Sequence, residues 1–324
     1  MRLRLVPQET NIDFFKYAKI TFGASIAAMV LSIGIWLAMG LNFGIDFLGG
    51  TTIRTEASEP VDVAAYREAL EPLGLGDITI TEVFDPTFDA DQHVAMIRIQ
   101  AQEGQESVTP ETINAVQEAL RTVYPEMTFP SVESVGPKVS GELIVTALIA
   151  VGAALAALLV YIWLRFEWQF SVGAVAALIH DIVLTIGLFS LLQIRFDLAT
   201  IAALLTIIGY SINDTVVIFD RLRENLIKYK QRDLRDVMNL SANETLSRTL
   251  MTSGTTLLAL LALLILGGDV IRGFVFAIFW GVIVGTYSSI YVAKNVVLMI
   301  GVKRDWSKPS DGGGAGTQFA NVDA

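Results

Sequence analysis

The sequence contains no cysteine and only two histidines among its 324 residues. Disulfide bonds, thiol redox chemistry and thiolate metal sites are therefore excluded. His93 lies in a polar region and His180 in an apolar run, far apart, so neither histidine predicts a metal site. We recognise no nucleophile triad, phosphate-binding loop or metal cluster, and we expect neither an enzyme nor a bound cofactor.

Charge is also scarce, because only 17% of the residues are charged while 53% are hydrophobic. A helix that crosses a bilayer needs about 20 consecutive, mostly apolar residues. Six runs meet that need, at about 19–40, 142–163, 171–192, 198–220, 249–267 and 273–295. The sequence therefore predicts a polytopic α-helical membrane protein with six transmembrane helices. The first run is too long for the apolar core of a cleaved signal peptide.

Basic residues predict the orientation of these spans. If the N-terminus is inside, sixteen of the 23 Lys and Arg residues fall in inner segments, and the two short outer loops carry one each. An inner excess of Lys and Arg marks the cytoplasmic side, so both termini are predicted to be cytoplasmic. The predicted domains are a cytoplasmic N-terminus (1–18), a first span (19–42), a periplasmic domain (43–138), a bundle (139–300) with a basic cytoplasmic loop (221–248), and a flexible tail (301–324).

The predicted outer domain is acidic, with 17 Asp and Glu against five Lys and Arg between residues 43 and 138. This balance argues against a nucleic-acid partner. Alternating or β-branched stretches predict four strands and helical apolar spacing predicts two helices. In chain order these elements are strand 51–55, helix 61–73, strands 78–81 and 93–101, helix 110–123 and strand 127–135. The order β-α-β-β-α-β predicts a ferredoxin-like α+β domain.

The apolar run from Leu198 continues into a polar stretch that contains Asn213 and Asp214. Asp214 lies seven residues from Arg221, about 10 Å into the membrane, which is too deep for its side chain to reach water. A charge near the bilayer centre costs about 3 kcal/mol or more, so such residues usually face the bundle interior on an ion or proton path. A purely structural hydrogen bond to a neighbouring helix is the alternative.

Two further polar positions strengthen the ion-path hypothesis. His180 and Asp181 fall in the middle of the third run, and as adjacent residues they point about 100° apart, so we expect them to face different helices. Arg248 starts the fifth run, and Thr252, Thr255 and Thr256 follow it on one helical face. We expect Arg248 to pair with Asp214, with Tyr210 and the threonines as supporting polar groups; an arginine that snorkels to the interface is the alternative.

Glycines mark two other features. Gly44, Gly49 and Gly50 surround Asp46 directly after the first span, which predicts a tight turn or a close approach of the backbone. Gly281 and Gly285 form a GxxxG pattern in the sixth run, and its usual meaning is helix packing. Residues 11–17 predict either a short interfacial helix or a disordered lead-in with aromatic anchors.

Several of these segments together resemble the SecF proteins of the SecD/SecF family. The similar stretches are GIDFLGGT at 44–51, VGPKVSGEL at 135–143, LIHD at 178–181, GYSINDTVVIFDRLREN at 209–225 and SRTLMTS at 247–253. The resemblance implies a bacterial inner-membrane location and a fold like half of an RND transporter. It also implies partnership with SecD and SecYEG, with YajC, YidC, membrane lipid and the unfolded exported polypeptide as further partners.

The resemblance further implies use of the proton motive force, and it matches Asp214 and Arg248 to residues of proton coupling. His180 and Asp181 match the family's third-span pair. Two other functions stay open at this point. The chain could be half of a proton-driven exporter of lipids or small molecules, which predicts a long apolar cavity, or a passive assembly scaffold, which predicts that Asp214 and Arg248 tolerate neutral substitution.

Overall fold

The computed structural model describes residues 10–76, 78–83, 92–100 and 108–302. In chain order the elements are α1 (Ala18–Met39), β1 (Asn42–Phe43), α2 (Ile45–Leu48), β2 (Gly50–Ala57), α3 (Val63–Leu70), β3 (Ile78–Val83), β4 (His93–Ile99), α4 (Pro110–Val123), β5 (Thr128–Val135), α5 (Pro137–Arg165), α6 (Trp168–Leu192), β6 (Arg195–Phe196), α7 (Leu198–Lys228), α8 (Leu234–Leu266), α9 (Asp269–Ser288) and α10 (Lys294–Ile300).

Within these described residues, six helices are long and apolar enough to cross a membrane, in agreement with the six predicted runs. They are α1, α5, α6, α7, α8 and the composite of α9 and α10, which a π-helical segment joins at Ser289–Ala293. The predicted flexible tail lies outside the described residues beyond residue 302, and the first nine residues lie outside them as well.

The predicted cytoplasmic loop 221–248 is wrong as a loop, because most of it is helical. α7 continues to Lys228 and α8 already begins at Leu234, where Asp233 caps it by accepting a hydrogen bond from the Arg235 backbone N–H. Leu222 and Leu226 are buried at helical spacing, so this amphipathic sequence extends the bundle beyond the apolar runs. Hydropathy alone places the helix ends where the apolar residues end, which is too early here.

The described residues of the predicted outer domain (43–138) contain a four-stranded antiparallel sheet with the order β3-β4-β2-β5. The strands and the two helices follow one another in the predicted order, and α3 and α4 pack together over the sheet. Inward-facing residues form one core, with Ile53, Tyr66, Ile97 and Leu120 fully buried. Side-chain caps start both helices, because Asp62 accepts from the Ala64 and Ala65 N–H groups and Thr109 accepts from Thr112 N–H.

Glycines let the membrane helices approach closely, as the GxxxG pattern predicts. A Cβ atom on Gly281 would lie 2.5 Å from Ile207 Cδ1 of α7, and one on Gly285 would lie 3.1 Å from Ser211 Cβ. Gly173 in α6 is equally restricted, because a Cβ there would lie 2.6 Å from Val297 Cγ2. Backbones that approach this closely bring polar side chains of α6, α7 and α9 within hydrogen-bonding distance.

The described part of the N-terminus is ordered but does not form the interfacial helix considered from sequence. Residues 14–17 form a turn whose Phe14 and Phe15 side chains are buried against the bundle. Asn243 of α8 holds this segment by accepting from Ile12 N–H and donating to Ile12 O, both at 2.8 Å. Lys294 is 0% exposed, and its Nζ lies 4.7 Å from the Phe14 ring centre and 5.2 Å from that of Phe15.

Candidate functional site

Asp181 is the centre of a hydrogen-bonded cluster inside the bundle. Its side chain is 1% exposed, and its Oδ2 accepts from Ser211 Oγ of α7 at 2.6 Å and from Ser288 Oγ of α9 at 2.9 Å. Its Oδ1 lies 3.0 Å from His180 Nδ1. Three helices therefore contribute polar groups to one carboxylate, which satisfies a buried charge far better than a single partner would.

The prediction that His180 and Asp181 face different helices is wrong. The two side chains contact each other, and both meet α9, where the His180 ring stacks on Tyr287 and Asp181 binds Ser288. α6 is surrounded by neighbouring helices, so two adjacent side chains can both turn into the same buried space. Tyr287 also joins Ser25 Oγ of α1 at 3.0 Å, which extends the cluster to the first span.

Asp214 is buried in the bundle, as predicted, but it has no direct ion pair with Arg248. Its side chain is 3% exposed and faces Thr249 and Ser253 of α8. Asp214 Oδ2 and Thr249 Oγ1 have no hydrogen-bonding partner among the described residues. Arg248 is the nearby cation that acts on this carboxylate, yet no ion pair within 4 Å joins the two side chains in the part of the chain that the structure describes.

Arg248 instead borders a cavity of about 390 Å³ at the end of the bundle where α7 meets α8. Arg221 and Glu244 form an ion pair in the same cavity, with Arg221 Nε 2.7 Å from the carboxylate. Val217 also lines it, one helical turn from Asp214. The arginine is exposed, so the structure agrees better with the snorkelling alternative than with a closed ion pair.

The predicted threonine stripe of α8 does not face Asp214. Thr252 and Thr255 donate to carbonyl oxygens of their own helix, and Thr255 is exposed. Asn213 is exposed as well, because it points about 100° away from its buried neighbour. Tyr210 does reach α8, where its hydroxyl donates to Thr256 Oγ1 at 3.4 Å. The residues of α8 that face Asp214 are Thr249 and Ser253, which directly follow Arg248 and Thr252 in the chain.

The Asp181 and Asp214 clusters belong to one polar layer across the bundle. Ser211 and Asp214 are three residues apart on α7, so they share one helical face. Ser253 of α8 lies 2.7 Å from Thr286 Oγ1 of α9, and Ser288 of α9 donates to Asp181. From the sequence we assigned no role to the serine and threonine hydroxyls of this layer. Ser211 lies three residues from Asp214, and Thr249 lies four residues from Ser253, so each pair shares one helical face. This spacing is the signal that predicts their position.

The glycine-rich segment after α1 joins the outer domain to α7. Gly44 N–H donates to Phe196 O at 2.8 Å, and the short helix α2 is followed by Gly49, whose φ of 72° favours glycine. Gly50 has a φ of 119° and begins β2. Asp46 Oδ2 accepts from Leu198 N–H at 3.0 Å, at the first residue of the helix that carries Asp214.

The outer sheet touches the same junction through Arg98 of β4, which donates to Phe43 O at 3.0 Å. Burial, and secondarily the charge of Arg195, lower the pKa of the Arg98 guanidinium. Within the described ranges, no group of three or more His, Asp or Glu side chains is placed to hold a metal ion. Asp181 and Asp214 are the buried carboxyl groups that the bundle offers in this region.

Comparison with known proteins gives the family. The family described as protein export membrane protein SecD/SecF, C-terminal, matches residues 115–303, and the SecD/SecF GG motif matches residues 34–61. The chain is 68% identical over 323 residues to the protein translocase subunit SecF of Cereibacter sphaeroides, covering 100% of this chain and 99% of the relative. The chain belongs to the SecD/SecF family.

Further SecD/SecF relatives extend the likeness. SecF of Rhodobacter capsulatus is 63% identical over 318 residues, 96% of each chain. The crystal structure of SecDF from Thermus thermophilus, a translocon-associated membrane protein, is similar with a TM-score of 0.81 and 37% identity. The match covers 93% of this chain and 40% of the SecDF chain. This SecD/SecF member is therefore a polytopic membrane protein with a role in protein translocation.

Proposed function

We propose that this chain is a SecF-type subunit of the bacterial protein-export machinery, not an enzyme, and that it couples proton flow through Asp214 to movement of its outer domain. The observation that carries the proposal is a carboxylate buried among membrane helices with an oxygen that no described donor satisfies. A buried charge that hydrogen bonds satisfy only in part is costly, and taking up a proton removes that cost.

The polar layer supplies the route by which protonation changes packing. Neutral Asp214 attracts Arg248 less, while Thr249, Ser253 and Thr286 can rearrange their hydroxyl hydrogens around it. One charge that crosses 100 mV releases about 2.3 kcal/mol. Moving a two-state equilibrium from about 1:99 to 99:1 needs about 5.5 kcal/mol. We therefore expect either a biased equilibrium or more than one proton per cycle, and in the second case Asp181 is the second buried carboxyl in the layer.

The junction at Asp46 supplies the route from the bundle to the outer domain. A shift of α7 acts on Asp46 through the hydrogen bond from Leu198 N–H, and Asp46 precedes β2 by only a few residues. We propose that the outer domain is periplasmic and ferredoxin-like, that both termini are cytoplasmic, and that the bundle forms half of an RND-like assembly in the bacterial inner membrane. The split order of the sheet, with β2 between β4 and β5, supports this fold assignment.

SecD is the proposed partner that completes the assembly, since the chain matches 40% of a SecDF chain. The SecYEG channel, YajC, YidC, membrane lipid and the unfolded exported polypeptide remain proposed partners from the resemblance. Coupling to sodium instead of protons is an outcome that the experiment below separates, because the imposed gradient can consist of either ion.

The test is export of a secretory polypeptide by membrane vesicles that contain this chain, SecD and SecYEG, with and without an imposed pH gradient and, in a parallel series, with and without an imposed sodium gradient. We expect Asp214→Asn to abolish the part of export that depends on the gradient while the basal part remains. Asp236→Asn is the matched control, because Asp236 is an exposed aspartate in the first turn of α8, outside the polar layer. Gradient-dependent export that survives in Asp214→Asn would refute proton coupling at this residue and favour a scaffold.

A further inference from the structure

A second cavity, of about 590 Å³, opens at the end of the bundle where α1 begins and α10 ends. Three separate segments form it: the turn before α1 with the first turns of that helix, the start of α8, and the end of α10. Its volume falls in the range of about 300–1,000 Å³ that small-molecule sites occupy. It lies apart from the polar layer and has no part in the proposed proton path.

All the charged residues that line this cavity are basic. Lys16, Lys19 and Arg235 line it, and none of its lining residues is acidic. Arg235 has one carboxylate nearby, Asp13, at 3.9 Å, and both side chains are about half exposed, so this pair is weak. Lys16 lies 5.3 Å from the Tyr17 ring centre, and within the described residues neither Lys16 nor Lys19 has a carboxylate within 4 Å.

The other half of the cavity is apolar and faces the membrane-spanning helices. Phe15, Phe22 and Leu298 line it, and two of the lining residues are largely exposed, Ile20 at 68% and Met299 at 73%. Three cations beside such a surface match a molecule with an anionic head and a hydrocarbon chain. An acidic peptide or a free anion would fill only the basic half and leave the apolar half unused.

We propose that this cavity binds one anionic phospholipid of the adjacent leaflet, with the headgroup phosphate among Lys16, Lys19 and Arg235 and an acyl chain along Phe22 and Met299. Basic pockets between membrane helices are known to hold anionic headgroups, and each Lys or Arg near the surface contributes about 1 kcal/mol to such binding. The bound lipid joins α1, α8 and α10 at the end of the bundle.

The test uses the full chain in nanodiscs of phosphatidylcholine with a minor fraction of phosphatidylglycerol, followed by native mass spectrometry of the lipid that the released protein retains. We expect the unmodified chain to retain phosphatidylglycerol selectively. Each neutralised cation should lower this selectivity about fivefold, so that Lys16→Gln, Lys19→Gln and Arg235→Gln together abolish it. Excess inorganic phosphate should not displace the lipid, because phosphate lacks the acyl chain.

The control variant carries Arg223→Gln, Lys228→Gln and Lys230→Gln, which remove the same charge from the same end of the bundle outside the cavity. We expect it to retain phosphatidylglycerol as the unmodified chain does. An equal loss in both triple variants would show only diffuse surface charge and would overturn the proposal. Displacement by phosphate would show a free-anion site and would overturn it as well.

Discussion

The close packing of α9 on α7 leads to a sharp prediction about Gly281. A Cβ atom at this position would lie 2.5 Å from Cδ1 and 2.8 Å from Cγ2 of Ile207. Carbon atoms pack favourably at about 3.5–4.0 Å, so Gly281→Ala must move the two helices apart by about 1 Å or force Ile207 into another rotamer. Overpacking of this kind typically costs about 1–3 kcal/mol.

Gly254→Ala is the matched control for this substitution. Gly254 lies inside α8, and a Cβ atom there would meet nothing within 4 Å. Alanine is a better helix former than glycine by about 1 kcal/mol, so the control should be neutral or slightly stabilising. The gain in helix propensity is common to both substitutions, so the two alanine variants should differ by about 1–3 kcal/mol in free energy of unfolding, although they make the same chemical change.

The assay is equilibrium unfolding in detergent, followed by tryptophan fluorescence. Ile207→Ala by itself should cost about 2–5 kcal/mol because it leaves a cavity. In the double variant, Gly281→Ala should fill part of that space, so the two costs should fall short of their sum by about 1 kcal/mol or more. The reasoning is refuted if Gly281→Ala is as stable as Gly254→Ala, or if the two substitutions are additive.

Two further predictions concern the polar layer and the junction. Asp181→Asn removes the charge that Ser211 and Ser288 stabilise, and it should cost about 1–3 kcal/mol in unfolding free energy and reduce gradient-dependent export; unchanged values of both would contradict the cluster's role. Asp46→Ala removes the acceptor of Leu198 N–H and should lower the free energy of unfolding by about 1 kcal/mol, the usual net contribution of one hydrogen bond. The Asp46→Ala variant should also export less polypeptide at a fixed pH gradient, while proton uptake by the vesicles stays unchanged. An equal loss of export and proton uptake would show that Asp46 does not transmit motion from α7 to the outer domain.

Much of the fold could be predicted because a bilayer limits the choices. A spanning segment must satisfy its backbone hydrogen bonds internally, so each apolar run of about 20 residues had to be a helix. The strands of the outer domain carried the alternating pattern of a half-buried sheet, and β4 illustrates it well. The error over residues 221–248 has the same origin, because an amphipathic helix outside the membrane shows a periodic pattern of apolar residues and no continuous apolar run.

The candidate site was less predictable. The cost of burying Asp214 and Asp181 among membrane helices marked both residues without any structure. Their hydrogen-bonding partners could not be predicted in the same way, since a rotation of α8 by about 100° about its axis decides whether Thr252 or Ser253 faces α7. Arg248 shows the same limit, because its position in the chain allowed both a buried ion pair and the exposed cavity wall that it occupies.

Composition and residue order alone predicted six membrane-spanning helices, an α+β insertion after the first of them and acids in the bundle interior, because hydropathy and burial cost are properties of single residues and runs. Only the tertiary structure decided that Asp181 accepts hydrogen bonds from hydroxyls of α7 and α9, that Ile207 packs against Gly281, and that Asp46 accepts from the first N–H of α7. These contacts depend on helix rotation and on close backbone approach, and residues more than 100 positions apart in the chain contribute to them.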